Sequence, residues 1–324
     1  MKKPVITRDK KTLSVRVIGQ GQPVLLLHGL GMNSRHWLPF VLPYSRQFKF
    51  YMPDLRGAGD SAHIAFNQND IIHNHMEDVQ DIVQHFGLRD FLLVGYSMGA
   101  TTALHWQREA GFSEVKHYLH IDQTPCVPNQ EDWSFGLFGQ QQALFFYYLQ
   151  QLKDLLAQYS SYPDIQSLPF AIRKKALKIL SHTFTEVVGR KSVKPVFMAA
   201  IYWPKLLPLV FPSTRLIDLQ AYLQSYLNSH DYRESLRQCH VPVTVMVGMQ
   251  SPLYNPLGQM AIADYAPYCK VVPFEKSGHV PLLDEPIKFG IELGRFLRRG
   301  ISSPSPHPSP TGEGVLSPSG RELE

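Results

Sequence analysis

Short, continuous apolar runs recur along the first part of the chain, each closed by polar or turn-forming positions. Val24-Leu25-Leu26-Leu27-His28, Phe48-Lys49-Phe50-Tyr51-Met52, Asp90-Phe91-Leu92-Leu93-Val94 and Val115 to Ile121, ending at Asp122, have this form. Consecutive apolar side chains point to both faces of a strand, so these segments predict strands covered on both sides. Lys10 to Val17 alternates instead, the pattern of a first strand with one wet face. Ile71 to Phe86 has another period: Met76, Val79, Ile82, Val83 and Phe86 fall on one helical face, and Gly87 supplies the stop. Strands alternating with helices in this way predict an α/β fold with a parallel, doubly wound sheet.

The pattern changes near residue 123. From there to about residue 240 no buried strand is evident, and amphipathic helices such as Gln140 to Tyr159 take over. Aromatic residues crowd this stretch, among them Trp133, Phe135, Phe138, Phe145, Tyr148 and Trp203. Val241 to Gly248 and Cys269 to Phe274 restore strand character, and Gly290 to Arg299 closes the fold as a helix. The expected organisation is a core of residues 1–122 and 241–300, with residues 123–240 inserted as a helical cap. Residues 301–324 are rich in Pro, Ser and Gly with few large apolar side chains, the composition of a disordered tail.

A chain of 324 residues with 44% hydrophobic and 18% charged positions has enough apolar material for one large globular core. The formal charge of +5 is mildly basic, with no basic stripe interleaved with aromatics, so nucleic acid is not an expected partner. A slightly positive surface also suits an acidic partner or carrier. Cys126, Cys239 and Cys269 are odd in number and widely spaced, which indicates neither a disulfide framework nor a zinc site. The longest apolar approach to a membrane span, Val196 to Phe211, is broken by Pro204, Lys205 and Pro208. No stable membrane insertion is expected, and no apolar stretch follows Met1-Lys2-Lys3; the expected compartment is the cytoplasm.

Chemistry enters at Gly95-Tyr96-Ser97-Met98-Gly99, which follows an apolar strand and precedes small, then apolar, residues at helical spacing. This is a nucleophile elbow in the strand–turn–helix context that gives Gly-x-Ser-x-Gly its meaning, and Ser97 is the candidate nucleophile. Acyl transfer also needs a base, and His279 lies on the loop after the last strand, where the order Ser, acid, His puts it. His28-Gly29-Leu30-Gly31 follows an early strand, so the Leu30 N–H, with that of Met98 beside the nucleophile, is a candidate oxyanion donor.

These segments, together with Asp54-Leu55-Arg56-Gly57-Ala58-Gly59-Asp60-Ser61, closely resemble the α/β-hydrolase fold superfamily over roughly residues 12 to 298. The resemblance implies an eight-stranded, mostly parallel sheet flanked by helices, with the cap inserted after the sixth strand. It also implies hydrolysis through an acyl-serine intermediate, with no metal and no cofactor. Asp54 and Arg56 are then expected to organise a turn.

One departure matters. Most members place the acid in a Gly-x-x-Asp segment after the seventh strand, and here that segment reads Gly248-Met249-Gln250-Ser251. A serine cannot support an imidazolium by charge. Asp122, at the end of the sixth strand, is the alternative acid, as in haloalkane dehalogenases and certain lipases. Its Asp122-Gln123-Thr124-Pro125 string also resembles a subgroup of esterases and cofactor-free haloperoxidase-like proteins. The competing readings make Asp122 a structural cap of its turn, or the triad a degraded one.

Among the remaining residues, His36, Trp37, Trp133 and Phe138 are candidates for lining the substrate pocket. Cys126 is expected to be a small buried residue, and His73-Asn74-His75 a solvated helix start. The leading reading is a serine hydrolase of small-molecule carboxylic esters with an apolar part under the cap. Alternatives are an esterase of carrier-bound acyl methyl esters, acting on an acyl carrier protein, a cofactor-free perhydrolase, and a ligand-binding relative that has lost turnover.

Overall fold

The computed structural model describes residues 1–67, 70–183, 194–209, 215–228 and 230–302. Its eight strands are β1 (Lys2–Ile6), β2 (Thr12–Gly19), β3 (Gln22–Leu27), β4 (Phe48–Pro53), β5 (Phe91–Tyr96), β6 (Val115–Ile121), β7 (Val243–Gly248) and β8 (Cys269–Phe274). They form one sheet in the order β1-β2-β4-β3-β5-β6-β7-β8. The first two pairings, β1 with β2 and β2 with β4, are antiparallel, and all the others are parallel. β5 and β7 are buried at every position, as their unbroken apolar runs require. β1 has no counterpart in the hydrophobic pattern: as an edge strand it buries only Val5.

Helices cover both faces. The helix Ile71–Phe86 places Met76, Val79 and Ile82 against one face, while Phe289, Leu293 and Phe296 of the helix Pro286–Ser302 cover the other. The first of these starts where Asp70 accepts hydrogen bonds from the Ile72 and His73 N–H groups, and ends at Gly87 in the left-handed region. Its start is not solvated as the polar His73-Asn74-His75 string suggests. Asn74 and His75 are buried, and His75 Nε2 lies 3.1 Å from the Arg56 carbonyl. Arg56 is itself buried between Asp78 and Asp9, and Asp54 accepts from the Ser34 and Asp60 N–H groups, so both organise the loop after β4.

Between β6 and β7 lie the helices Gln142–Ala157, Phe170–His182, Lys194–Tyr202 and Leu216–Leu227, with an apolar core of their own built from residues such as Leu152, Leu156 and Leu177. Among the described residues the insertion contributes no strand to the sheet. No helix there or elsewhere among them is long and apolar enough to cross a membrane. The last helix runs through Ser302, so residues 301 and 302 are helical rather than part of a tail; the rest of the tail expected from composition lies outside the described residues.

Candidate active site

The loops after β3, β5, β6, β7 and β8 leave the sheet at the same edge, where open parallel sheets form their sites. At the end of β5 the chain passes directly into the helix Met98–Ala110 through Ser97, whose φ of 51° and ψ of −117° are strained for a residue with a side chain. Gly95 and Gly99 permit this turn. A Cβ on Gly95 would come 2.8 Å from Ala100 Cα, and one on Gly99 would come 2.3 Å from the Leu27 carbonyl oxygen. The Ser97 N–H donates to the Ile121 carbonyl at 3.0 Å, which ties the elbow to β6.

Three side chains from three loops then form a continuous chain. Ser97 Oγ lies 3.0 Å from His279 Nε2, and His279 Nδ1 lies 2.5 Å from Asp122 Oδ2. With the carboxylate accepting at Nδ1, the ring proton sits there and Nε2 is left to accept from the serine. Asp122 has no exposed surface, and it receives three further hydrogen bonds. The Gly248 N–H and Gln259 Nε2 donate to Oδ1 at 2.9 and 3.1 Å, and Ser251 Oγ donates to Oδ2 at 2.9 Å. Four donors compensate the buried charge and leave the carboxylate one orientation. Ser251, standing where an acid is usual, therefore donates a hydrogen bond to the acid that comes from β6.

His279 is fixed from other directions as well. Tyr96 Oη–H donates to its carbonyl at 2.9 Å, and Asp284 accepts from the Gly278 N–H at 2.9 Å. The rings of Tyr96 and Tyr254 lie 5.5 and 5.8 Å from the imidazole, centroid to centroid.

The loop after β3 is held by His28. The Leu55 N–H donates to His28 Nε2 at 3.0 Å, so the ring proton is on Nδ1, which donates to the Gly29 carbonyl at 2.9 Å. Burial keeps this histidine neutral, lowering its pKa to about 4. The Gly29 carbonyl and the Leu30 N–H belong to one trans peptide and point in opposite directions. Fixing the carbonyl on the His28 side thus turns the Leu30 N–H the other way. Met98 is the first residue of its helix, so its N–H has no acceptor within that helix.

A cavity of about 580 Å³ lies between the sheet edge and the insertion, and Ser97 and His279 border it. Leu30, His36 and Phe138 line it, with Phe145, Leu152 and Tyr222 among the apolar residues contributed by the insertion. A second cavity of about 40 Å³ is bordered by Ser97, Met98, Thr101, Gln123 and Val127. The two tryptophans expected at the pocket are elsewhere. Trp37 is fully buried in the core between the sheet and the helix Pro286–Ser302, because its large apolar ring packs better there than in a loop. Trp133 is turned into the neck of the insertion, where Nε1–H donates to the Cys126 carbonyl at 3.0 Å and Arg233 lies 5.3 Å above its ring. Cys126 is buried, which pushes its thiol up to about 12 and leaves it inert.

Sequence reasoning missed several contributors. Gln259 carries no local signal, since it meets Asp122 only through the fold. Behind the site, His120 Nε2 donates to the Gln123 carbonyl at 2.8 Å, and Gln123 Nε2 donates to Thr101 at 2.5 Å. Burial lowers His120 to about 4, consistent with a neutral ring in this layer. Among the described residues, no group of three or more His, Cys, Asp or Glu side chains is placed to hold a metal ion.

The sheet order, the elbow and the order of the three side chains agree with a match to the alpha/beta hydrolase family model over residues 24–290. The chain belongs to this family. It is 25% identical over 281 residues to a pimeloyl-[acyl-carrier protein] methyl ester esterase from Aliivibrio salmonicida, covering 86% of this chain and 94% of that one. A hydrolase superfamily protein of Bacillus subtilis, YisY, is 25% identical over 300 residues, covering 90% and 97%. Among solved structures, an esterase from Exiguobacterium antarcticum superposes with a TM-score of 0.65 at 20% identity, over 92% of this chain and all of that one. A bromoperoxidase from Bacillus anthracis does so with 0.64 at 15%, over 92% and 100%. At these identities the structural likeness speaks for the shared α/β-hydrolase fold.

Proposed function

We propose that this α/β hydrolase cleaves carboxylic esters through an acyl intermediate on Ser97, with His279 as base and Asp122 as acid. The observation that carries the reading is the unbroken contact from Ser97 Oγ through the imidazole to the buried carboxylate. In the first half-reaction Ser97 Oγ attacks the ester carbonyl carbon as its proton passes to His279 Nε2. The carbonyl oxygen gains the negative charge and is met by the Leu30 and Met98 N–H groups. The carbon–alkoxy bond then breaks as His279 returns the proton to the departing alcohol oxygen. Water repeats the sequence on the acyl-serine, with His279 again taking and returning a proton, and the acid is released. Asp122 holds the tautomer and supports the imidazolium by charge throughout. The insertion acts as a cap, and its apolar wall suits an apolar part of the ester.

Ser251 in the usual place of the acid favours a non-catalytic binder, and the carboxylate beside His279 Nδ1 supports the catalytic reading instead. A second enzymatic reading, hydrolysis of carrier-bound acyl methyl esters, draws support from the relatives so named. It also draws on Arg173, Lys174, Lys175 and Lys178 of one insertion helix, whose Leu180 reaches the cavity. An acidic carrier would be drawn to such a helix. Three free cysteines fit a cytoplasmic, reducing setting.

A fluorophosphonate probe tests the core of the proposal. Rapid labelling of the native chain and none of Ser97→Ala is the expected result. An unlabelled native protein, or equal labelling of both, overturns it.

A further inference from the structure

Two cavities meet at Ser97, and they differ in size and in which catalytic group they touch. The wide one, of about 580 Å³, is bordered by Ser97 and His279 and reaches the surface at Leu30 and Leu283, which are 37% and 68% exposed. The narrow one, of about 40 Å³, is bordered by Ser97 and Met98 but not by His279. Apart from Tyr226, every residue lining it is about nine-tenths buried or more. Its volume has room for about three water-sized groups.

An ester bound for attack sends its two halves in different directions. The alcohol oxygen must lie within hydrogen-bond reach of His279 Nε2, because it takes its proton from that atom as the bond to the acyl carbon breaks. The alcohol half therefore begins in the cavity that His279 borders. The acyl half stays on Ser97 Oγ after the alcohol has gone. It needs contact with the nucleophile and with Met98, whose N–H faces the oxyanion, and no contact with the base. The narrow chamber has those borders.

We infer that the enzyme is selective for esters of short acyl groups with large apolar alcohols, the acyl group entering the chamber walled by Met98, Thr101, Gln123 and Val127 and the alcohol lying under the insertion. The inference rests on the hydrolase reading above and deepens it. A methyl ester of a long, carrier-bound acyl chain needs the reverse placement, so the same experiment separates the two substrate classes.

Octyl acetate and methyl nonanoate are isomers that exchange the two halves. Octyl acetate is expected to be cleaved with a kcat/KM higher by about a hundredfold, since each methylene that does not fit costs roughly ten- to two-hundred-fold. In an ethyl ester series, activity should fall beyond the butanoate. Val127→Ala, which widens only the narrow chamber, should extend that limit and leave the dependence on alcohol length unchanged; Ile72→Val is a milder variant with the same expected direction. Equal or better cleavage of methyl nonanoate overturns the assignment, as does an acyl limit that neither variant moves. Failure to cleave either isomer while Ser97 still labels with fluorophosphonate also overturns it. Failure of Ser97 to label removes the hydrolase reading itself.

Discussion

In the sheet, Ser97 and His279 stand 182 positions apart in the chain and meet at 3.0 Å, because each follows a strand whose register is set by backbone hydrogen bonds. The insertion between β6 and β7 has no such ladder among its described residues. Its helices are fixed by apolar contacts such as those of Leu152, Leu156 and Leu177, and what they determine is the shape of a cavity. Directional bonds fix distances to tenths of an ångström, whereas apolar packing is non-directional and fixes volumes. The chemistry therefore depends on the strand ends, and the choice of the substrate part held in the wide cavity depends on the insertion. Substitutions in the first region should change kcat steeply, and substitutions in the second should change KM and preference gradually.

The steepest test is at the acid. Asp122→Asn keeps the size of the side chain but loses the charge and the tautomer control, and kcat should fall on the order of 10⁴-fold. Ser251→Ala, which removes one of four donors to the same carboxylate, should cost about tenfold, roughly the net worth of one such bond. Steady-state kinetics on one ester decides both, and an Asp122→Asn enzyme of normal kcat would refute the assignment of the acid. His28→Ala should lower kcat about 10²-fold with little change in KM, because the Leu30 peptide loses the contact that orients it as an oxyanion donor. A change confined to KM would show that His28 does not act through that peptide.

Acid stability probes the core around the strands more gently. His28, His117 and His120 are buried neutral rings, each lowered to about 4, and His75 to about 3, in every case by burial. The unfolded chain binds protons on these rings below about pH 6.5, and the folded chain does not until about pH 4. These rings should therefore contribute fully to stability above pH 6.5 and lose that contribution as pH drops towards 4, while carboxylates held low by their partners, Asp9 at about 2 among them, extend the loss to lower pH. Thermal unfolding followed by circular dichroism across this range measures it, and a flat Tm from pH 7 to 4 would contradict the burial of neutral rings.

The smallest effects on turnover belong to the insertion. Phe138→Ala, at the cavity wall, should raise KM for a long apolar ester about tenfold at nearly constant kcat. Trp133→Ala should leave the preference profile alone and lower stability by about 3–5 kcal/mol, as loss of a buried tryptophan does. If Trp133→Ala shifted chain-length preference and Phe138→Ala did not, the two roles would be exchanged.

How much of this was legible in the chain follows the same division. The buried strands stood out because residues such as Leu25, Leu26 and Leu93, Val94 must be apolar on both faces. β1 left no such trace, since an edge strand with one buried residue has no pattern to show. Ser97 and His279 were legible because a strained elbow and a loop after the last strand restrict sequence strongly. Asp122 is legible only through Ser251, which leaves the usual place of the acid without a charge. The directions of Trp37 and Trp133 were not legible, because a ring on a loop turns towards whichever surface the rest of the fold offers. Gln259 was invisible for a similar reason: its partner lies 137 positions away, and only the meeting of β6 and β7 with the following helix brings them together.

Ser251 Oγ lies 2.9 Å from the carboxylate oxygen that also meets His279. The seat of the acid is therefore reached from two strands, and the chain can fill it from either. Asp122→Asn combined with Ser251→Asp reverses the roles of donor and acceptor across that contact while leaving a single carboxylate beside the imidazole. Relocation of the acid is thus a matter of two substitutions at adjacent strand ends, with no rebuilding of the sheet. The order of the steps matters, because adding the second acid before the first is lost would set two carboxylates side by side, and the buried pair would hold one of them protonated. A path through the asparagine passes instead through an enzyme that is nearly inactive yet still folded. A fold that offers two addresses for one charge can thus diverge in sequence at its acid while its nucleophile and base stay where they are.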